Sequence, residues 1–391
     1  MKAVIEVDYL FPAGSSPEQQ AEALAIGQTA GTWDARFIHR EAALREHLGE
    51  IRALEILPDG QSVARIAFPL ANVDGGMGSL LTMIFGKYSL GGTAKILDLR
   101  LPADYGLQPR FGMEGIRQQL GVFRRPLVMA IFKPALGLSA TDHAEILAEV
   151  AWAGLDIIKD DEILPNLPKA PTLERWRACA PILEARRDRL GRDLLYAVNL
   201  SGNAAQVQDL ARRLVAEGAN ALLLNVFAYG PAVLEALAQD PEINVPIFAH
   251  PALAGAFSAA PAHGLSYRVT LGRLLAHAGA DAVLYPAHYG SLPFPAAEEF
   301  AIRDILRQRG LACVPSAGVH PGILPAIMED YGSEVILNAG TGIMDHPQGP
   351  ASGVRAFFEA WERYGAQESF ALSSLPAGPL RAAMEKWGPH G

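Results

Sequence analysis

A lysine followed by three acidic residues, Lys159-Asp160-Asp161-Glu162, is the segment of the sequence with the clearest chemical potential. The apolar run before it predicts a buried strand, in which Lys159 and Asp161 point to the same side because strand side chains alternate. Glu162 can turn towards them from the strand end. Two carboxylates at one point suit Mg²⁺, which prefers oxygen ligands, and a neutral or carbamylated lysine would supply a third ligand. The alternative is a salt-bridged cluster that supports the rim of the fold.

Other polar residues lie where predicted strands end. Lys133 follows an apolar run and needs a partner there, so it is a candidate electrophile or base, or a partner of the acidic cluster. His250 is a candidate for substrate binding or proton relay, or a hydrogen-bonded structural residue. The turns 316–318 and 338–342 contain glycines, and backbone amides in such turns attract anions. These turns are candidate phosphate sites, although glycines also close ordinary turns.

The chain beyond residue 127 alternates short apolar runs with amphipathic stretches, which is typical of parallel βα units. Eight such units in ~240 residues favour a closed (β/α)₈ barrel over an open doubly wound sheet. Active sites of such barrels lie at the C-terminal ends of the strands, where the polar residues described above occur. The predicted strands are Leu127–Lys133, Leu155–Glu162, Leu194–Leu200, Ala221–Phe227, Val245–His250, Asp281–Pro286, Ala312–Gly318 and Val335–Gly340.

The first part of the chain has a different pattern, with short predicted strands interleaved with separate helices. This mixture indicates an α+β domain of the ferredoxin-like kind. We therefore predict an α/β protein with an N-terminal α+β domain (residues 1–120) and a barrel domain with a C-terminal tail (residues 121–391). The predicted N-terminal strands are 3–9, 51–57, 64–70 and 94–101, and the predicted helices are 17–29, 40–48 and 80–85.

Composition excludes several classes of partner. Lys and Arg total 33 against 42 Asp and Glu, for a net charge of −9, which argues against nucleic acid or an anionic membrane as the main partner. Two cysteines, Cys179 and Cys313, are too few for a disulfide framework, and the sequence shows neither a signal peptide nor a membrane span. We expect a cytoplasmic protein. A negatively charged substrate then needs a local group of cations.

The motifs together resemble the large subunit of RuBisCO, chiefly through the segments 132–139 and 154–162. In that family the lysine of the Lys-Asp-Asp-Glu motif is carbamylated by CO₂ and holds Mg²⁺ with the second aspartate and the glutamate. The resemblance implies one Mg²⁺ per active site on Lys159, Asp161 and Glu162, with the CO₂-derived carbamate on Lys159. It also implies a phosphorylated small-molecule substrate, held by Ser316, Gly318, Gly340 and Thr341.

Several departures from the carboxylases imply that CO₂ is not fixed. Carboxylases carry a second lysine where this sequence has Ala135, and an arginine where it has Pro251. The loop 287–292, which carries a lysine in carboxylases, has none here. Ser79 lies near the position of a carboxylase asparagine. The sequence is therefore identified as a member of the RuBisCO-like, form IV group.

Within that group the sequence is similar to the methionine-salvage enolases, which tautomerise 2,3-diketo-5-methylthiopentyl-1-phosphate. This similarity implies that Lys87 is the general base and that Lys133 polarises or protonates the substrate, with assistance from His250. Arg110, where these enolases tend to carry lysine, is expected to help bind the anionic substrate. The resemblance also implies a homodimer, in which the N-terminal domain of one chain completes the barrel mouth of the other. The segments that carry the similarity are 85–90, 195–202, 225–230, 240–243 and 249–252.

Two other functions fit the sequence. One is a different reaction of the family, either isomerisation of a methylthio-sugar phosphate or decarboxylation of an oxo-sugar-acid phosphate. The other is a catalytically silent member with a binding or regulatory role. Retention of all three predicted metal ligands argues against the silent member.

Overall fold

The computed structural model describes residues 3–14, 16–31 and 35–389. Its contacts divide the chain into two compact units. The first unit comprises residues 1–108, 230–235 and 253–279, and the second comprises 109–229, 236–252 and 280–391. Among the described residues, no helix is both long and apolar enough to cross a membrane.

The strands follow the predicted pattern closely, and the eight predicted barrel strands are all present. In chain order the strands are Val4–Phe11 (β1), Glu50–Ile56 (β2), Ser62–Pro69 (β3), Lys95–Arg100 (β4), Leu127–Ile131 (β5), Ile157–Lys159 (β6), Leu195–Asn199 (β7), Ala221–Asn225 (β8), Ile247–His250 (β9), Gly264–Leu265 (β10), Ala282–Pro286 (β11), Ala312–Ser316 (β12) and Ile336–Ala339 (β13).

The helices separate the barrel strands and cover the sheet of the first unit. In chain order they are Pro17–Gly27 (α1), Glu41–Arg45 (α2), Met77–Phe85 (α3), Gly112–Leu120 (α4), Ala140–Trp152 (α5), Thr172–Leu190 (α6), Ala204–Ala216 (α7), Val226–Tyr229 (α8), Pro231–Gln239 (α9), Ala254–Ser258 (α10), Leu275–His277 (α11), Ala296–Gln308 (α12), Leu324–Tyr331 (α13), Thr341–Met344 (α14), Pro350–Gly365 (α15) and Pro379–Trp387 (α16). A π-helix at Arg268–Leu274 precedes α11.

The first unit is built on a five-stranded sheet in the order β10-β4-β1-β3-β2. Strand β1 pairs antiparallel with β3 and β4, and its side chains from Val7 to Phe11 are buried. The hydroxyl of Tyr9 donates to the carbonyl of Ile84 at 2.5 Å, which ties α3 to the sheet. The two-residue strand β10 pairs parallel with β4, so residues 253–279 belong to this unit.

The second unit is a parallel eight-stranded sheet in the order β12-β11-β9-β8-β7-β6-β5-β13. Strands β12 and β13 pack side by side, which closes the sheet into the predicted (β/α)₈ barrel. Local sequence signals position the helices: Ser139 and Asp142 form a capping box that begins α5, and Asn203 and Gln206 form another that begins α7.

Helix α4 lies in the second unit, whereas the prediction assigned residues up to 120 to the N-terminal domain. In the structure Met113, Ile116 and Leu120 join the apolar cluster that also contains the inward-facing residues of the barrel strands. The second unit accordingly starts at Pro109 rather than near residue 121. Burial of this apolar face explains the shift of the boundary, because a helix packs with the core that covers its apolar side.

Each barrel strand contributes at least one residue to this cluster, and one from each strand is Met129, Ile157, Ala197, Leu223, Phe248, Leu284, Val314 and Ile336. Because strand side chains alternate, the residue two positions further along each strand faces the same side, closer to the C-terminal end of that strand. Six of those eight residues are polar. We call them the polar layer: Lys159, Asn199, Asn225, His250, Ser316 and Asn338.

Candidate active site

The polar layer is centred on a buried lysine. The side chain of Lys159 is fully buried, and its Nζ lies 3.4 Å from Oε2 of Glu162 and 3.1 Å from the carbonyl oxygen of Asp160. Burial lowers the pKa of the Lys159 ammonium, against the opposing influence of the Glu162 and Asp161 carboxylates. The lysine is therefore shifted towards its neutral, nucleophilic form.

His250, the last residue of β9, completes this group. Its Nε2 lies 3.4 Å from Oε2 of Glu162, and its Nδ1 accepts a hydrogen bond from the amide of Ala252 at 3.2 Å. Since Nδ1 accepts, the proton of the neutral ring is on Nε2 and faces Glu162. Burial lowers the pKa of His250 well below its ordinary value, and the positive charge of Lys159 lowers it further. The imidazole is thus a neutral hydrogen-bond donor.

Lys133 and Asp161 form the second half of the acidic cluster. The Nζ of Lys133 lies 2.5 Å from Oδ2 of Asp161, whose side chain is almost fully buried. The other carboxylate oxygen of Asp161 accepts from the amide of Ile163 at 3.1 Å. Lys133 itself is 41% exposed, so it remains accessible at the strand end. Pairing with the acidic cluster is one of the roles that the sequence predicts for this lysine.

Asp160 faces the opposite way and has a structural role. Its carboxylate accepts from Arg175 at 3.0 Å, from the hydroxyl of Tyr196 at 2.7 Å and from the amide of Asn199 at 2.9 Å. Asp160 and Arg175 are both fully buried. The alternation predicted for the Lys-Asp-Asp-Glu strand is therefore observed: Asp160 links β6 to β7 and α6, while Lys159 and Asp161 face the mouth.

Replacing Asp160 with alanine is expected to destabilise the fold by about 3–5 kcal/mol, because it leaves the guanidinium of Arg175 buried without its charged partner. Urea unfolding measures this change. Arg177→Ala is the matched control, since its ion pair with Glu217 lies on the exposed side of the same helix and should contribute little. Equal, small losses in both variants would contradict the structural role of Asp160.

The acidic cluster offers two carboxylates and one lysine to a divalent cation. Within residues 3–14, 16–31 and 35–389, no three His, Cys, Asp or Glu side chains are grouped as a metal site. Asp161 and Glu162 supply two carboxylates, and the third group beside them is Lys159. An ammonium repels a cation, whereas a carbamate on the same nitrogen is an oxygen ligand. The residues therefore fit a magnesium ion when Lys159 is carbamylated.

The predicted phosphate turns follow two strands that lie side by side. After β12 the backbone turns through Ala317 and Gly318, at φ values of 68° and 105°. A Cβ atom at Gly318 would lie 2.7 Å from the amide nitrogen of Ser291, so only glycine fits there. Asn338 on β13 donates to Oγ of Ser316 at 2.9 Å, which joins the two strand ends.

Gly340 and Thr341 form the second turn, where α14 begins. A Cβ atom at Gly340 would lie 3.0 Å from Cδ1 of Ile131, so the turn packs closely on β5. The first amides of any helix have no acceptor within the helix, which leaves them available to an anion. The structure thus brings Ser316, Gly318, Gly340 and Thr341 to one side of the barrel mouth.

Arg110 does not belong to this group, contrary to the expectation that it helps bind the substrate. Its guanidinium donates to the carbonyls of Ala238 at 2.6 Å and Ile243 at 2.5 Å. The next amide, that of Phe111, donates to Asp281, which immediately precedes β11. Arg110 therefore lies at the N-terminal ends of the strands, where it stabilises a loop rather than a phosphate.

Lys87 belongs to the first unit and follows the C-terminal end of α3. Its side chain is exposed, and its carbonyl accepts from the amide of Leu90 at 3.2 Å. This position leaves the amine accessible to solvent.

The predicted site residues omit three asparagines of the polar layer: Asn199, Asn225 and Asn338. Asn199 and Asn225 both donate through Nδ2 to the carbonyl of Glu162, at 3.3 and 2.9 Å. Both asparagines therefore contact the backbone, rather than the carboxylate, of a predicted metal ligand. The signal that identifies them is their position two residues after an inward-facing core residue of the same strand.

The fold and the Lys-Asp-Asp-Glu strand end define a protein of the RuBisCO class. Residues 112–292 match the family model described as ribulose bisphosphate carboxylase large chain, catalytic domain. The crystal structure of a rubisco-like protein (MtnW) from Alicyclobacillus acidocaldarius is similar, with a TM-score of 0.90 and 38% identity over 98% of this chain and 100% of that one. The sulfate complex of the octameric RuBisCO from Pyrococcus horikoshii has a TM-score of 0.91 and 26% identity, over 99% and 94% of the two chains.

Similarity to two named sequences defines the family more narrowly. A protein from Microcystis aeruginosa is 60% identical over 384 residues, 98% of this chain and 100% of the relative. Another from Bacillus licheniformis is 39% identical, over 99% and 98% of the two chains. Both relatives are named 2,3-diketo-5-methylthiopentyl-1-phosphate enolase. The chain belongs to this enolase family of RuBisCO-like proteins, which confirms the resemblance inferred from its motifs.

Proposed function

We propose that the chain is a 2,3-diketo-5-methylthiopentyl-1-phosphate enolase that acts in methionine salvage and does not fix CO₂. The observation that carries this function is the buried Lys159, held above the barrel core beside Glu162 and within the same cluster as Asp161. The names of the relatives supply the substrate. The reaction is removal of a proton from a carbon next to a keto group, followed by protonation of the keto oxygen.

RuBisCO-like enolases generally use Mg²⁺ with a carbamylated lysine. In this chain the carbamate of Lys159, with Asp161 and Glu162, would hold one ion. The carbamate forms when the neutral amine adds to CO₂ and releases a proton, and burial of Lys159 favours that neutral amine. When bound, the metal stabilises the negative charge that develops on the keto oxygen as the proton leaves.

The remaining residues of the mouth would bind and orient the substrate. Lys133 polarises or protonates a keto oxygen when that oxygen replaces Asp161 as the partner of its ammonium. His250 assists through its Nε2–H group, which remains neutral because its pKa is lowered. The phosphate lies on the turns that contain Ser316, Gly318, Gly340 and Thr341.

Lys87 is the proposed general base, and its place in the first unit suggests how the active site is completed. We propose a homodimer in which Lys87 of one chain serves the barrel of its partner. The Pyrococcus horikoshii RuBisCO is octameric, so assembly of several chains is established for a protein of the same class. A base at the mouth needs a pKa near neutrality, which a neighbouring cation or burial in the dimer would provide.

The function is tested with purified protein, Mg²⁺ and bicarbonate, by following the diketone phosphate with ³¹P NMR. We expect conversion of the diketone to its enol. In a parallel assay the protein is incubated with ribulose 1,5-bisphosphate and ¹⁴C-bicarbonate, and we expect no acid-stable radioactivity. Acid-stable radioactivity would mean that CO₂ is fixed, which would contradict the proposed function. Reaction with only a methylthio-sugar phosphate or an oxo-sugar-acid phosphate would instead assign one of the other reactions of the family.

A further inference from the structure

Three asparagines of the polar layer have an unsatisfied acceptor. Each donates through Nδ2 to an acceptor of the protein at 2.9 Å: Asn199 to the carbonyl of Leu164, Asn225 to the carbonyl of Glu162, and Asn338 to Oγ of Ser316. Because a carbonyl only accepts, these bonds fix the orientation of the Asn199 and Asn225 amides. Among the described residues, Oδ1 of each asparagine is buried and has no hydrogen-bond partner.

An amide at the other end of β8 shows what a purely structural asparagine looks like in this barrel. Asn220 accepts from the amide of Tyr196 at 2.9 Å and donates to the carbonyl of Leu194 at 2.8 Å, so both of its ends are paired. A buried acceptor without a partner lowers stability. Each asparagine of the polar layer therefore has an unpaired Oδ1 atom at the C-terminal end of its strand, which costs free energy. A ligand that donates a hydrogen bond to this atom would recover that free energy.

Asn225 is the best placed of the three to meet a ligand beside the predicted metal ligands. It is paired in register with His250 on β9, and its amide contacts the backbone of Glu162. It is half-buried, whereas Asn199 is 1% exposed. Its carbonyl oxygen is also neutral, so it accepts a hydrogen bond without placing another negative charge beside the carboxylates.

The chemistry of the proposed reaction supplies such a donor only in the product. In the diketone, the carbon chain carries keto oxygens, which only accept. On enolisation the base takes a proton from the carbon next to a keto group, a C=C bond forms, and the keto oxygen gains a proton and becomes a hydroxyl. We propose that Oδ1 of Asn225 accepts a hydrogen bond from this enol hydroxyl; the inference rests on the proposed function. Asn225 thus binds the enol more tightly than the diketone.

The test compares Asn225→Ala with the matched control Asn220→Ala. With enzyme in excess over the diketone, and with Mg²⁺ and bicarbonate present, ³¹P NMR gives the ratio of enol to diketone on the enzyme. Loss of one neutral hydrogen bond should lower this ratio about fivefold in Asn225→Ala. Asn220→Ala should leave the ratio unchanged but lower the melting temperature.

Stability and metal affinity provide independent measurements. The melting temperature of Asn225→Ala should fall less than that of Asn220→Ala, because the substitution also removes an unpaired acceptor and Asn199 still donates to the carbonyl of Glu162. Mg²⁺ affinity, measured by calorimetry, should be unchanged. An unchanged enol ratio, or a weakened Mg²⁺ affinity, would overturn the role of Asn225. Failure of the unsubstituted chain to convert the diketone would overturn the proposed function, and this inference with it.

Discussion

Lys159→Met is expected to lower the rate of enolisation by at least about a thousandfold, because removal of the lysine removes the carbamate and the several kcal/mol of charge stabilisation that a bound metal provides. The chain should remain folded. Methionine has a similar length, and the substitution removes a fully buried ammonium whose pKa is already lowered by burial. The rate is measured by NMR, the melting temperature by calorimetry, and Mg²⁺ binding by titration.

The matched control is Lys169→Met, which removes an exposed lysine from the segment that follows the same strand. It should retain full activity and Mg²⁺ affinity. Near-normal Mg²⁺ affinity in Lys159→Met would show that the metal is held elsewhere, and the assignment of Lys159, Asp161 and Glu162 as ligands would be wrong.

The second large effect concerns Lys87. Removing a general base reduces proton transfer by about 10²–10⁴-fold, so Lys87→Ala should lose exchange of the substrate proton to that extent. Mg²⁺ affinity and phosphate binding should stay nearly normal, because neither the acidic cluster nor the phosphate turns include this residue. Lys95→Met is a useful contrast, since Lys95 is buried and donates to the carbonyl of Ser258 at 3.1 Å; it should lower stability.

Complementation tests whether Lys87 acts across the dimer. Lys87→Ala and Lys159→Met are each inactive, but a mixed dimer with composite sites contains one intact site. Random reassociation of equal amounts should therefore restore about a quarter of the unsubstituted activity. No recovery, in a preparation where mass spectrometry confirms mixed dimers, would show that each site is built within one chain.

The barrel could be predicted from the sequence because its strands are buried on both sides and form nearly continuous apolar runs. The central part of the site could be predicted for a related reason. Strand alternation places Lys159 and Asp161 on one side and Asp160 on the other, and the contacts of Asp160 with Arg175 confirm this division. These features depend on residues close together in the sequence.

The features that could not be predicted depend on contacts distant in the sequence. Arg110 donates to carbonyls more than 120 residues away in the sequence. Its charge predicted a role in binding an anion, whereas these contacts give it a structural role. The association of residues 253–279 with the first unit depends on the two-residue strand β10, which is too short to show a periodicity. The unpaired acceptor of Asn225 became visible only when the partner of its Nδ2 was known.

Exchange of the substrate proton with solvent tests the central claim most directly. The diketone phosphate is incubated in D₂O with the protein, Mg²⁺ and bicarbonate. ¹H NMR then follows the signal of the protons on the carbon next to the keto group. We predict that deuterium enters that carbon far faster than in the protein-free control, and that excess EDTA abolishes the enzymatic rate. Exchange no faster than the control, or exchange unaffected by EDTA, would contradict a metal-dependent enolase.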